Sequence, residues 1–151
     1  MKIPPTVKHA VLIMLILADS EDNGNTKLSA IARQLGISKD YLNITIRFLC
    51  TAGLVSGKIG PGGGYILNFP PDKITLADIC VAVLGKIDLC PCLIEPEDCE
   101  SILVCKNIQA WAKVSSAIHS KLEQIRLSDL SGSICPPGKN KMDISLGITV
   151  Q

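Results

Sequence analysis

Four of the seven cysteines stand between Cys90 and Cys105, in sixteen residues spaced C-x-C-x6-C-x5-C. Thiolates are soft ligands, suited to iron-sulfur clusters, zinc or copper(I), and a short loop carrying several of them wraps one metal centre without needing a large core. Pro91 and Pro96 stiffen that loop and keep helix from running through it. Structural zinc sites pair their ligands as C-x2-4-C knuckles, whereas this stretch has other gaps and no histidine. The spacing therefore favours Cys90, Cys92, Cys99 and Cys105 as ligands of an iron-sulfur cluster, with zinc as the rival metal. Two readings compete without any metal, a thiol switch and simple burial of cysteine as a small hydrophobe.

Catalysis has less behind it. The two histidines, His9 and His119, stand beside no nucleophile with an orienting acid, and C-x-x-C is absent from the chain. An iron-sulfur or thiol redox enzyme, or an electron carrier, is the alternative class. Seven cysteines is an odd number in a 151-residue chain, which suits a reducing cytoplasm better than a secreted disulfide framework.

What must position such a loop lies on either side of it. The net charge is only +1, but residues 1–68 carry seven Lys/Arg against four Asp/Glu, while residues 69–130 carry six against nine. The amino-terminal half is thus the basic one, as a module approaching phosphates requires. Aromatic residues make up 3% of the chain, too few for the stacking platforms of single-strand or RNA binders.

Within that half, residues 28–49 describe two helices joined at Gly36. Ser29 is the expected cap of the first, whose apolar positions are Ile31, Ala32 and Leu35, and Ser38 that of the second. Leu42, Thr45, Ile46 and Leu49 form an inward stripe on the second helix. Lys39, Asn43 and Arg47, spaced by four, line an outward face, with Ser38 and Tyr41 near its start. This is the pattern of a helix-turn-helix, in which such a face reads base edges and phosphates of the major groove. An ordinary helical hairpin with a solvated face is the plainer alternative.

Residues 54–67 then place two short strands around Gly60-Pro61-Gly62-Gly63-Gly64, which predicts a β-hairpin wing. Its glycines let backbone approach a phosphate or enter a narrow groove, and Lys58 supplies charge. A nucleotide-binding loop fails here, because Tyr65 stands where G-x-G-x-x-G needs its last glycine.

Three further elements frame this module. Thr6 is the expected cap of a first helix running to about Ala18. Its apolar run resembles a signal peptide after Lys2 and Lys8, but is too short to span a bilayer and reads as buried. A helix capped by Thr75 carries Cys80, which, like Cys50, lies among apolar residues. From Lys106 to about Leu127 an amphipathic pattern puts Ile108, Trp111, Ala112, Ser115, Ile118, Leu122 and Ile125 on one side, and a second copy of the chain is the simplest partner for it. Residues 131–151 read as a flexible tail, with Cys135 a bystander.

On these residues the chain resembles the iron-sulfur cluster regulator family of bacterial winged-helix proteins, which includes IscR-like and NsrR-like repressors. The likeness covers roughly residues 1–130 and rests on Ile37-Ser38, Tyr41-Leu42, Gly53-Leu54-Val55 and, above all, Gly60 to Tyr65, followed by three cysteines. It implies a homodimeric winged helix whose cysteines hold a two-iron or four-iron cluster, with cluster loss or change altering DNA binding. Departures are specific. The family's C-x5-C-x5-C is C-x6-C-x5-C at Cys92, Cys99 and Cys105. Ile108 stands where some members place a histidine ligand, and Lys8 about where others place an acid of the partner subunit. The fourth ligand is then Cys90, His9 of the partner subunit or an external molecule. Ile59 replaces a frequent arginine, and Asn43 a glutamate.

Together these readings predict a mainly α fold with a small β-hairpin wing, a winged helix-turn-helix plus a long dimerisation helix. The expected layout is a DNA-binding domain at 1–88, a cluster loop at 89–105, a dimerisation helix at 106–130 and a tail beyond. The expected partners are double-stranded operator DNA and a second copy of the chain, with no membrane.

Overall fold

The computed structural model describes residues 3–20, 25–87, 89 and 108–130. The clustered cysteines at 90–105 and the tail at 131–151 lie outside the described residues. Helix α1, Pro5–Ala18, buries Val7, Ala10, Ile13, Met14, Leu15, Ile16 and Leu17. A helix apolar on nearly every side must be covered on several, and α1 is: three later helices and the wing pack against it. Among the described residues no helix is long and apolar enough to cross a membrane.

Thr6 does not cap this helix. Pro4 is the cap residue, with no side-chain bond, and Pro5 takes the first helical position, where the missing N–H costs nothing. Thr6 therefore falls inside the first turn, and its hydroxyl is free to face another helix.

Helix α2, Leu28–Leu35, begins after Lys27 rather than at Ser29. The Lys27 carbonyl accepts from the N–H groups of Ala30 and Ile31 at 2.9 and 3.2 Å, so the backbone starts the helix two residues earlier than a Ser29 cap would allow. It ends at Gly36, whose φ of 66° turns the chain into α3. Helix α3, Lys39–Thr51, has the expected cap: Ser38 Oγ accepts from the Tyr41 N–H at 3.4 Å. Leu42, Thr45, Ile46 and Leu49 are all fully buried. The buried Thr45 hydroxyl is satisfied by donating to the Tyr41 carbonyl at 3.2 Å.

Strands β1, Val55–Lys58, and β2, Gly64–Leu67, pair antiparallel, with Val55 opposite Leu67 and Lys58 opposite Gly64. A short 3-10 turn, Pro71–Lys73, leads to helix α4, Leu76–Leu84. Thr75 caps α4 in a reciprocal box: its hydroxyl accepts from the Asp78 N–H, and the Asp78 carboxylate accepts from the Thr75 N–H at 2.8 Å.

Helix α5, Ile108–Glu123, packs on α4. The sequence pattern predicts helix to about Leu127, but α5 stops at Glu123. Arg126 instead pairs with Thr75, the Ile125 carbonyl accepts from Leu76 N–H at 2.9 Å, and Leu127 N–H donates to Ile74 at 2.8 Å. Leu127, in a closing 3-10 turn at Leu127–Leu130, becomes fully buried. Its apolar side chain thus serves the core of its own domain, not an extension of the long helix.

Leu127→Ala should lower unfolding free energy by about 3 kcal/mol in urea titration, as removal of a fully buried leucine side chain does. Thr75→Ala should cost about 1 kcal/mol in the same measurement, through loss of the α4 cap.

Candidate DNA-reading surface and cysteine loop

Ser38, Lys39, Asn43 and Arg47 are all exposed on α3, and the three long side chains follow one another at single-turn intervals. The opposite side of the same helix is sealed into the core, so the exposed side is held in a fixed orientation. Among the described residues the one ion pair is His119 with Glu123, at 3.5 Å, so Lys39, Arg47 and Lys58 are not neutralised by any described carboxylate. An α-helix with such a face fits the width of the major groove.

Tyr41 is placed differently. It is half-buried against α1, with its oxygen 3.1 Å from His9 Nδ1 and its O–H donating to Thr6 Oγ1 at 3.4 Å. The two rings meet edge-on, with centroids 5.4 Å apart. The set is satisfied when Nδ1 of His9 carries its proton and donates to Tyr41. Burial, and then the Lys8 ammonium, hold the His9 pKa below the ordinary 6.5. Tyr41 thus ties the first turn of α3 to the first turns of α1. Sequence spacing could not show this tie, which joins residues 32 and 35 positions apart.

The wing is built as closely. Gly60 to Gly63 form a turn closed by Gly63 N–H donating to the Gly60 carbonyl at 2.9 Å, with Pro61 and Gly62 in its centre. Lys58, Pro61 and Gly62 are exposed at the tip, while Gly63 and Gly64 are half-buried. A Cβ on Gly63 would lie 2.3 Å from the Lys58 carbonyl oxygen, and one on Gly64 would lie 2.7 Å from the Thr26 backbone. These two glycines are demanded by the wing's own packing. Thr26 pairs with Tyr65 through two backbone bonds of 3.0 and 2.9 Å, and Asn25 Nδ2 donates to the Gly62 carbonyl at 3.0 Å. Asn25 and Thr26 thus brace the wing, a role that nothing in the local sequence pattern around them signals.

Cys90, Cys92, Cys99 and Cys105 lie outside the described residues, but the ends of their loop do not. The Leu89 N–H donates to Ser115 Oγ at 3.1 Å, which pins the entry to the middle of α5, and the chain re-enters the described structure at Ile108, where α5 begins. Cys50 and Cys80 are half-buried, and burial pushes both thiols above their usual pKa, away from the thiolate a metal needs. Among the described residues no three His, Cys, Asp or Glu side chains are grouped to hold a metal ion.

The apolar side of α5 divides in two. Ser115 is buried towards α4, whereas Trp111, Val114 and Ile125 remain exposed. Val114, Ala117, Ile118, Leu122 and Ile125 line a shallow groove with Lys113 and Lys121 at its rim.

Arg47→Ala should weaken duplex binding and reduce the slope of log affinity against log salt by about 1, measured by fluorescence anisotropy across a salt series. Gly64→Ala should lower duplex affinity about tenfold by forcing the wing off Thr26. Because His9 is held neutral, wild-type stability is present above the ordinary histidine pKa and falls as pH drops through it towards the lower folded value. Thermal unfolding of His9→Phe between pH 7.5 and 5 should show a smaller loss on acidification.

Known proteins bear directly on this arrangement. The model of the Rrf2 family, described as an iron-dependent transcriptional regulator, matches residues 4–133. The regulator IscR of Aliivibrio salmonicida is 35% identical over 130 residues, covering 86% of this chain and 77% of its own. CymR of Bacillus subtilis is 32% identical over 131 residues, covering 87% of this chain and 90% of its own. Among solved structures, CymR, named the global cysteine regulator of B. subtilis, superposes with a TM-score of 0.70 at 32% identity, over 89% of this chain and 99% of that one. T. potens IscR does so with a TM-score of 0.65 at 30% identity, over 86% and 85%. The winged helix read from the sequence is therefore the fold, and the redox enzyme considered beside it is set aside. The chain belongs to the Rrf2 family and is a DNA-binding transcriptional regulator.

Proposed function

We propose that the chain is a cytoplasmic, homodimeric regulator that binds a pseudo-palindromic operator and reports iron, oxygen, nitric oxide or redox state through an iron-sulfur cluster of two or four irons. Cys92, Cys99 and Cys105 are the proposed ligands, with Cys90, His9 of the partner subunit or an external molecule completing the set. The donor chemistry fits the group: four thiols in one short loop, without histidine, form a soft-metal set. When bound, such a cluster supplies a centre whose charge and coordination respond to iron supply and oxidants. The ordered His9 ring spends Nδ1 on Tyr41, which leaves Nε2 as its only nitrogen for a ligand role.

The observation that carries this reading is the anchoring of the loop. Leu89, before the loop, is bonded to Ser115, and the described chain resumes after the loop at Ile108, where α5 begins, so a group held by the loop's thiols would bear on α5. Dimerisation rests on the outward apolar residues of α5, Trp111, Val114, Ile118 and Leu122, which recur at three- and four-residue intervals, the seam spacing of paired helices. In such a dimer α5 sets the distance between the two α3 helices, whose half-sites stand about 10 bp or a multiple apart. Both must dock together, so a small change in their separation alters affinity strongly. The likeness to CymR supports a second reading, a regulator of the same fold that works through thiols or a partner without iron. Zinc in the loop is a third state, which colour separates from an iron-sulfur cluster and metal content separates from the thiol or partner reading.

Protein purified without air should absorb in the visible range and contain iron and sulfide, and stripping the iron should change its affinity for operator DNA. A colourless zinc-loaded dimer would overturn the cluster. Serine at Cys92, Cys99 and Cys105 that leaves metal content and DNA response unaltered would favour a switch driven by a partner protein. Trp111→Glu combined with Val114→Glu should shift the sedimentation coefficient to that of a monomer.

A further inference from the structure

At the wing tip the side chain of Ile59 is 100% exposed, and Pro61 beside it is exposed too. Burial of an aliphatic side chain is favourable, and Ile59 gains none of it from its own fold. Nor is this tip a loose end. The Gly60–Gly63 turn, the Asn25 bond to Gly62 and the double bond between Thr26 and Tyr65 hold it in one shape. The wing therefore presents a small apolar point on a rigid mount, one residue beyond the exposed ammonium of Lys58.

Position decides what can cover it. Strand β1 begins four residues after α3 ends and packs against it, so with α3 laid in a major groove the wing would face the groove beside it. An isoleucine there can neither pair with phosphate nor respond to groove potential. It can pack on deoxyribose walls and press against a base step, as apolar wedges in the minor groove do. We propose that Ile59, backed by Pro61, is an apolar minor-groove contact that selects operators by deformability and by the absence of the guanine N2 amino group at the wing position. This rests on the DNA-reading surface described above. Lys58 then positions the wing on phosphate while Ile59 supplies the discrimination.

The test uses the full chain and a duplex it selects from a library of randomised duplexes. Ile59→Ala should weaken binding about tenfold with the salt slope unchanged. Ile59→Arg should steepen that slope by about 1. With a G·C pair installed at the wing position of that duplex, exchanging it for inosine·C removes the N2 amino group and should tighten binding of the wild type but not of Ile59→Ala. Neither substitution should move thermal unfolding, since Ile59 is wholly exposed. Binding by Ile59→Ala within twofold of wild type, an unchanged slope in Ile59→Arg, or an equal inosine response in wild type and Ile59→Ala would each overturn the proposal. If Arg47→Ala and Lys58→Ala also left binding unchanged, the DNA-reading surface itself would fall; their loss of binding beside an intact Ile59→Ala would sink only the wedge.

Discussion

Burial of α1 is the constraint on which the other elements depend. Seven of its side chains are withdrawn from water, and the inner stripe of α3, the buried face of α4 and the base of the wing are what cover them. Burial of the stripe Leu42, Thr45, Ile46 and Leu49 brings α3 to α1 and turns its other side outward. Polar groups at the rim pin its first turn: Ser38 caps the helix, and Tyr41 reaches back to Thr6 and His9. The exposed line of Lys39, Asn43 and Arg47 is aimed as a result. The aim of a DNA-reading helix here is thus a property of its contacts with the first helix of the chain.

Much of this was legible in the sequence because helical period and turn chemistry are local. Leu42, Thr45, Ile46 and Leu49 repeat at the spacing of a single buried stripe, and Ser38 stands three residues before the N–H it accepts. The Thr75-Asp78 box and the Gly-Pro-Gly-Gly-Gly hairpin are local in the same sense. The misses share a cause. Thr6 and Ser29 are good capping residues displaced by backbone already committed, with Pro5 at the start of α1 and the Lys27 carbonyl at the start of α2. Leu127 continues the apolar pattern of α5 but belongs to another contact, at Ile74. Periodicity reports that a residue is apolar, and not which surface it serves.

The site was legible in part for the same reason. Exposure of Lys39, Asn43 and Arg47 follows from the stripe on their own helix. Tyr41 sits in the same turn, yet its hydroxyl is engaged by α1, a contact between distant positions that spacing does not encode. The wing glycines read from the sequence as residues that let backbone approach a phosphate or a groove; for Gly63 and Gly64 the group that lies close is the protein's own backbone, at Lys58 and Thr26.

The pairing of Arg126 with Thr75 carries a mechanical consequence. It laces the far end of α5 to the near end of α4, while Ser115 holds Leu89 partway along. The described parts of the chain between Thr75 and Arg126 are thus fastened to one another at two points, and the seam where α5 packs on α4 lies between those fastenings. A strain delivered to α5 is therefore felt first at that seam.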